Sequence, residues 1–241
     1  MAKKERLDKV LSNLGYGTRT EIKKYLKYGI VTVNGEIIKN ASTHIDPEND
    51  EIIFDGEKVN YRKYIYIMLN KPKGYISATY DDVEKTVIDI IDPEYRIFNP
   101  FPVGRLDKDT EGLLVLTNDG QLSHRILSPK RHVPKVYYAH IQGVVTEDDV
   151  KAFSEGVVLD DGYKTMPSHL KILKSNDISE IEVKIYEGKY HQVKRMFESV
   201  GKKVIYLKRI SMGKLKLDEN LALGEYRELT EEEVKLLEER E

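Results

Sequence analysis

Leu7, Val10, Leu11 and Leu14 fall at i, i+3, i+4 and i+7, the spacing of one helix face, and the run stops before Gly15-Tyr16-Gly17. Thr18-Arg19-Thr20 opens a second short helix, buried through Ile22, Tyr25 and Leu26 and ended by Gly29. Lys27 stands four residues after Lys23 and three after Lys24, so three ammonium groups share the exposed side of this helix. The period then shortens. Residues 30–33 and 36–38 flank Asn34-Gly35, a strong hairpin signal, and a strand at 51–54 ends at Asp55-Gly56. Two helices followed by a small curled sheet form a module over residues 1–59 that is large enough to fold alone.

The polar run 57–63 is expected to be a linker. Beyond it the pattern predicts a strand at 64–69, a loop at 70–74, extended chain at 75–77 and a proline-punctuated loop at 92–102. The short apolar run 113–117, bounded by Asn118-Asp119-Gly120, reads as a buried strand. A helix over 121–127 is closed by Ser128-Pro129, a strand covers 136–141, and Thr146 with Asp149 starts a helix in a capping-box-like pattern. Strands near 168–173 and 180–186 precede a helix over 189–197, where Val193, Met196 and Phe197 share one face. A strand at 204–207 and an acidic helix capped by Thr230 complete the chain. Strands and helices are mixed without regular βαβ alternation, which argues for an α+β domain on a largely antiparallel sheet over residues 60–241.

Composition narrows the class. No run approaches the roughly 18 apolar residues of a membrane span, and Met1-Ala2-Lys3-Lys4-Glu5-Arg6 has positive charge without an apolar stretch behind it. No membrane association and no signal peptide are therefore expected. The chain has no cysteine, which excludes disulfides and thiol chemistry and fits a cytoplasmic protein. Its six histidines are scattered without metal-ligand spacing, so no metal is expected. The net charge of −2 hides a strong asymmetry: residues 1–30 hold eight basic and three acidic side chains, and residues 186–216 hold nine and two. Local cationic fields of that kind suit a phosphate backbone.

The densest chemistry lies in Val103-Gly104-Arg105-Leu106-Asp107-Lys108-Asp109-Thr110-Glu111-Gly112, directly before the strand at 113–117. A carboxylate beside a core strand is held by a rigid scaffold, which singles out Asp107, while Asp109 and Thr110 read as ordinary turn residues. An aromatic at Tyr137 or Tyr138 and a cation at Lys194 or Arg195 complete a set that suits an enzyme drawing one base out of its stack. Adjacent strand residues face opposite ways, so only one of the two tyrosines can enter a pocket.

Two resemblances sharpen this. Arg6-Leu7-Asp8-Lys9-Val10-Leu11, Thr18-Arg19-Thr20-Glu21 and Gly29-Ile30-Val31-Thr32-Val33-Asn34-Gly35 resemble the S4 RNA-binding domain. That resemblance implies phosphate and sugar contacts from Arg6, Arg19, Thr20, Lys23, Lys24, Lys27 and Asn34. Asn70-Lys71-Pro72-Lys73-Gly74, Gly104-Arg105-Leu106-Asp107, Gly112-Leu113-Leu114-Val115-Leu116-Thr117, Lys135-Val136-Tyr137 and Glu187-Gly188-Lys189-Tyr190-His191-Gln192-Val193-Lys194-Arg195-Met196 resemble, in order, the motifs of the RsuA/RluB-type pseudouridine synthases. The resemblance implies isomerisation of uridine to pseudouridine in ribosomal RNA, without metal or organic cofactor; a monomer is expected, although the sequence itself is silent on oligomeric state. The resemblance makes Asp107 the catalytic carboxylate, Tyr137 the residue packed on the target base and Lys194 the partner of Asp107. Many relatives carry Arg at that last position, so a bidentate fork becomes a point charge. Arg105, Leu106 and Leu207 would line the pocket, and His191, Gln192 and Arg195 would face RNA. His124 and His191 are not needed as bases by the reaction as the family runs it.

The segment from Asn118 to Pro129 is most similar to the RsuA branch, which points to 16S small-subunit RNA over large-subunit RNA. Asp107-Lys108-Asp109-Thr110 also touches the DxDx[TV] pattern of haloacid-dehalogenase-type phosphatases. There Glu111 occupies the position that needs Thr or Val, and no later acidic pair follows. A non-catalytic RNA-binding assembly factor is the remaining alternative, and the presence of Asp107 speaks against it.

Overall fold

The computed structural model describes residues 4–239, so Met1-Ala2-Lys3, the start of the stretch weighed as a signal peptide, lies outside them. The chain divides into two compact units: one runs up to Tyr64 and includes Pro93–Asn99, the other holds Ile65–Asp92 and everything from Pro100 onward.

In the first unit a short strand β1 (Glu5–Arg6) leads into α1 (Leu7–Asn13) and α2 (Arg19–Lys27). Thr18 caps α2 with a complete capping box: its hydroxyl accepts the Glu21 N–H, and the Glu21 carboxylate accepts the Thr18 N–H at 2.8 Å. Strands β2 (Val31–Val33) and β3 (Glu36–Ile37) close around Asn34 and Gly35, both at positive φ (51° and 83°), the backbone of a tight primed turn. Strand β4 (His44–Ile45) pairs with β1. Strand β5 (Ile52–Phe54) returns through a second turn of the same kind, Asp55-Gly56, to β6 (Glu57–Lys58). The expected linker at 57–63 is thus shortened: residues 57 and 58 extend the sheet to the order β3-β2-β5-β6, and Val59 is buried with Leu7, Leu11, Ile22 and Leu26. Part of the expected loop at 92–102 is helical as well, forming α3 (Pro93–Arg96).

The second unit is built on a nine-stranded sheet whose main path is β11-β12-β10-β13-β9-β7-β15. Its strands are β7 (Tyr66–Lys71), β8 (Phe101–Pro102), β9 (Glu111–Thr117), β10 (Lys135–Gln142), β11 (His169–Lys174), β12 (Ile178–Ile185), β13 (Lys203–Met212), β14 (Leu215–Lys216) and β15 (Tyr226–Glu228). Every pairing is antiparallel except β9 with β13. Strand β9 is buried on both faces, as its unbroken apolar run requires. Strand β10 alternates, burying Tyr137, Ala139 and Ile141.

Helix α4 (Gly120–Leu127) starts at Asp119, whose carboxylate accepts the N–H groups of Gln121 and Leu122. Helix α5 (Glu147–Glu155) has the Thr146–Asp149 box, and α7 (Glu231–Leu236) has a Thr230–Glu233 box. Helix α6 (Gln192–Ser199) begins three residues later than its apolar pattern suggests. Gly188 and Lys189 are irregular, and Tyr190 and His191 form a turn closed by the Gln192 N–H on the Lys189 carbonyl, with His191 in the left-handed region at φ 48°. Residues 75–77 likewise form no strand, apart from one bridge between Ile76 and Thr86. Among the described residues no helix is long and apolar enough to cross a membrane.

Candidate active site

The loop between β8 and β9 carries Asp107, and two side chains fix its course. Lys71, at the buried end of β7, donates from Nζ to the carbonyl oxygens of Pro72 (3.1 Å), Asp107 (3.1 Å) and Thr110 (2.9 Å). Ser77 Oγ donates to the Leu106 carbonyl at 2.9 Å and accepts the Leu106 N–H at 3.0 Å. Within the loop the Thr110 N–H closes a turn onto the Asp107 carbonyl at 3.0 Å. Burial pushes the Lys71 ammonium down to about 8, and the neighbouring carboxylates of Asp109, Asp107 and Glu111 only partly oppose this. Neither Lys71 nor Ser77 stands out in the sequence as a side chain that holds this loop.

Helix α6 meets the loop from the other side. Lys194 Nζ lies 3.1 Å from Asp107 Oδ2, and it also donates to both oxygens of Asp109 at 2.7 and 2.9 Å. Asp109 is therefore more than a turn residue, a correction with a simple cause: the turn closing at Thr110 aims its carboxylate at the same ammonium. Burial works against the charged form of Asp109, but the Lys194 hydrogen bonds and charge outweigh it and hold that carboxyl below the usual range. The same pair of acids raises Lys194 against the opposing effect of its own burial. His191 joins them, with Nε2 at 3.6 Å from Asp107 Oδ1.

These groups open into a cleft lined by Arg105, Leu106, Thr110, Tyr137, Ile185, Gln192 and Leu207, among others. Asp107 is part-buried, its side chain 28% exposed, so its carboxylate is anchored yet reachable. Tyr137 presents its ring to the cleft from β10. Tyr138 faces the opposite side of the sheet, where its hydroxyl donates to Glu180 at 2.7 Å. That hydrogen bond, with burial, pushes the Tyr138 phenol up to about 12. Thr110 is buried, and its hydroxyl has no partner within the protein.

Three residues expected at the RNA surface are placed differently. Gln192 is 4% exposed: its side-chain oxygen accepts the Lys189 N–H at 2.9 Å and its amide donates to Glu187 at 2.8 Å, so it braces the turn before α6. Arg195 is engaged by Asp160 and Asp161, the latter at 2.7 Å. His191 reaches the carboxylate itself.

In the first unit Arg19, Thr20, Lys23, Lys24 and Lys27 are exposed along α2. Arg6 forks onto Asp8 at 3.0 and 2.7 Å. Asn34 is occupied by Asp50 and the Glu51 N–H, where its amide holds the hairpin turn to the residues just before β5.

A family model described as RNA pseudouridylate synthase matches residues 65–199, and an S4 domain model matches residues 5–52. The chain belongs to the RNA pseudouridylate synthase family. It is 53% identical over 236 residues to an uncharacterized RNA pseudouridine synthase, YtzG, of Bacillus subtilis, across 97% of this chain and 98% of that relative. It is 40% identical over 231 residues to the ribosomal small subunit pseudouridine synthase A of Escherichia coli, across 95% and 98% of the two chains. A solved pseudouridylate synthase superposes with a TM-score of 0.68 at 40% identity, covering 96% of this chain and 99% of that one. The synthase is thus an isomerase acting on RNA, with an S4 domain as its RNA-binding module. The second unit continues beyond the matched segment: β13, which begins at Lys203, brings Leu207 to the cleft and pairs with β9.

Proposed function

We propose that the synthase converts a specific uridine of 16S ribosomal RNA to pseudouridine, with Asp107 as the catalytic carboxylate. The observation that carries this is the 3.1 Å pairing of Asp107 with Lys194 in a cleft that also holds Tyr137 and Leu207. Lys194 anchors the carboxylate and keeps one oxygen oriented. Tyr137 packs on the swung-out uracil, and Leu207 with Leu106 supplies the apolar wall against its edge. The N1–C1′ bond breaks, the base turns, and C5 joins C1′; C5 loses a proton and N1 gains one, so no co-reactant is consumed. Arg105, exposed beside the cleft, takes an adjoining phosphate, and α2 of the S4 domain grips a structured part of the same RNA through Arg19, Lys23, Lys24 and Lys27.

The small-subunit assignment is supported by the similarity to synthases named for that subunit and by the segment from Asn118 to Pro129. The test is to incubate purified protein with unmodified 16S and 23S transcripts, or with assembly particles, and to map pseudouridine by carbodiimide-blocked primer extension. We expect a single new site in 16S RNA, and no product from Asp107→Asn even though that variant still binds the RNA. A new site in 23S RNA alone would reassign the substrate. RNA binding without product from the wild type would leave an assembly factor.

A further inference from the structure

The turn that brings His191 to Asp107 also presents an aromatic ring with no part in the chemistry above. Tyr190 is 73% exposed, and its ring stacks on the His191 imidazole with centroids 3.8 Å apart and planes inclined by 18°. On the inner side that imidazole lies 3.6 Å from the Asp107 carboxylate. An exposed tyrosine alone means little, and Tyr28 and Tyr80 are as open. Tyr190 differs in standing on a braced turn and in being stacked on a neighbour. Its carbonyl accepts from Arg195 Nη1 at 3.4 Å, and Arg195 is itself fixed by Asp160 and Asp161. Gln192 ties the turn at both ends, to the Lys189 N–H and to Glu187. His191 has a left-handed backbone at φ 48°, uncommon for a residue other than glycine.

A ring carried on a braced turn, backed by one heterocycle and open on its other face, has the shape of one more step in a base stack. An RNA whose uridine has swung into the cleft offers a matching group, because the neighbouring base has lost its stacking partner. Cations suited to the flanking phosphates stand nearby: Arg105 on the cleft, and Lys189, whose Nζ lies over the Tyr163 ring at 4.4 Å.

We propose that Tyr190, backed by His191, is a stacking platform for the nucleobase adjacent to the target uridine. This rests on Asp107 being the carboxylate that meets the flipped nucleoside. The contact is made by the ring face, so the phenol hydroxyl is dispensable. Base–aromatic stacks contribute enough that losing one weakens binding by roughly tenfold.

Single-turnover pseudouridine formation on 16S transcript tests the assignment. Tyr190→Ala is expected to raise the half-saturating RNA concentration roughly tenfold, with the rate at saturation little changed, and Tyr190→Phe to recover most of that loss. The sequence contains no tryptophan, so Tyr190→Trp carries a single indole whose emission should be quenched when the transcript binds. The platform is overturned if Tyr190→Ala saturates like the wild type, if Tyr190→Phe is as impaired as Tyr190→Ala, or if the indole emission ignores the RNA. An active wild type combined with any of these results removes the platform alone. A wild type that modifies neither 16S nor 23S RNA removes the catalytic assignment and the platform with it.

Discussion

Asp107 shares its cation with Asp109, and both are held over a loop that Lys71 and Ser77 pin from beneath. One polar group of that loop makes no hydrogen bond to the rest of the protein. The Thr110 hydroxyl is buried without a partner among the protein's own groups, and a buried polar group without a hydrogen bond costs about 1–3 kcal/mol. Thr110→Val keeps the shape and removes that cost, so thermal unfolding of the variant is expected at the wild-type temperature or above it. A melting temperature lowered by several degrees would show that the hydroxyl has a structural partner. Of these residues, Asp107, Tyr137 and Lys194 are legible in the chain because they lie inside recognisable motifs. Lys71 lies in one too, but a lysine next to proline and glycine reads as a loop cation until the structure buries it. Asp109 looks like a turn former for the same reason: its partner lies 85 residues away.

At the scale of elements, the cleft depends on the pairing between β9 and β13. Gly112 permits it. A Cβ there would lie 2.2 Å from the Arg209 carbonyl oxygen, and the residue has a φ of +100°. Gly112→Ala must therefore push the two strands apart and strain its own backbone, at a combined cost of about 2 kcal/mol or more. The expected result is a clearly lowered urea midpoint together with lost activity, because Leu207 on β13 and the Asp107 loop before β9 separate. A midpoint equal to the wild type would mean that the strands adapt. Helix α2 carries a different kind of prediction. Lys23→Glu with Lys27→Glu should weaken RNA binding and flatten its dependence on salt by about 0.7–0.9 in log–log slope for each phosphate that is no longer neutralised. Filter binding between low and moderate salt reads this directly, and an unaltered slope would take α2 off the RNA. Element identities were largely legible from apolar spacing and caps such as Thr18 and Thr230, which act within four residues. The start of α6 was not. Val193, Met196 and Phe197 set its apolar face, but the side-chain hydrogen bonds of Gln192 decide where the helix begins.

The whole molecule carries buried ionisable groups whose effects on stability have opposite signs. Burial lowers both Lys71 and Lys135 to about 8, with the Arg209 charge adding to the effect at each. Between about 8 and the ordinary lysine value of 10.5 the unfolded chain binds more protons than the native one, so stability rises with pH across that window. Tyr61, pushed up to about 12 by burial, and Tyr138, pushed up to about 12 by its bond to Glu180, act the other way: above the ordinary tyrosine value of 10 the native state holds more protons, and stability falls. Urea midpoints followed by circular dichroism should climb from pH 8, peak near pH 10 and drop beyond it, with a shallower climb in Lys135→Met. A steady decline from pH 8, or an unchanged climb in that variant, would contradict this account.

By itself the chain determined its helices, hairpins and caps, because those arise from residues a few positions apart. The order of its motifs was enough to identify an S4 module ahead of a pseudouridine synthase domain, and with it the class of reaction. Only the tertiary structure decided that Lys194 serves two acids, that His191 reaches Asp107 while Gln192 turns inward, and that Lys71 lies buried beneath the loop. The Lys194, His191 and Lys71 contacts join segments far apart in sequence, and their meeting is set by strand register and burial; the Gln192 bonds stay within five residues but depend on a turn that apolar spacing does not record.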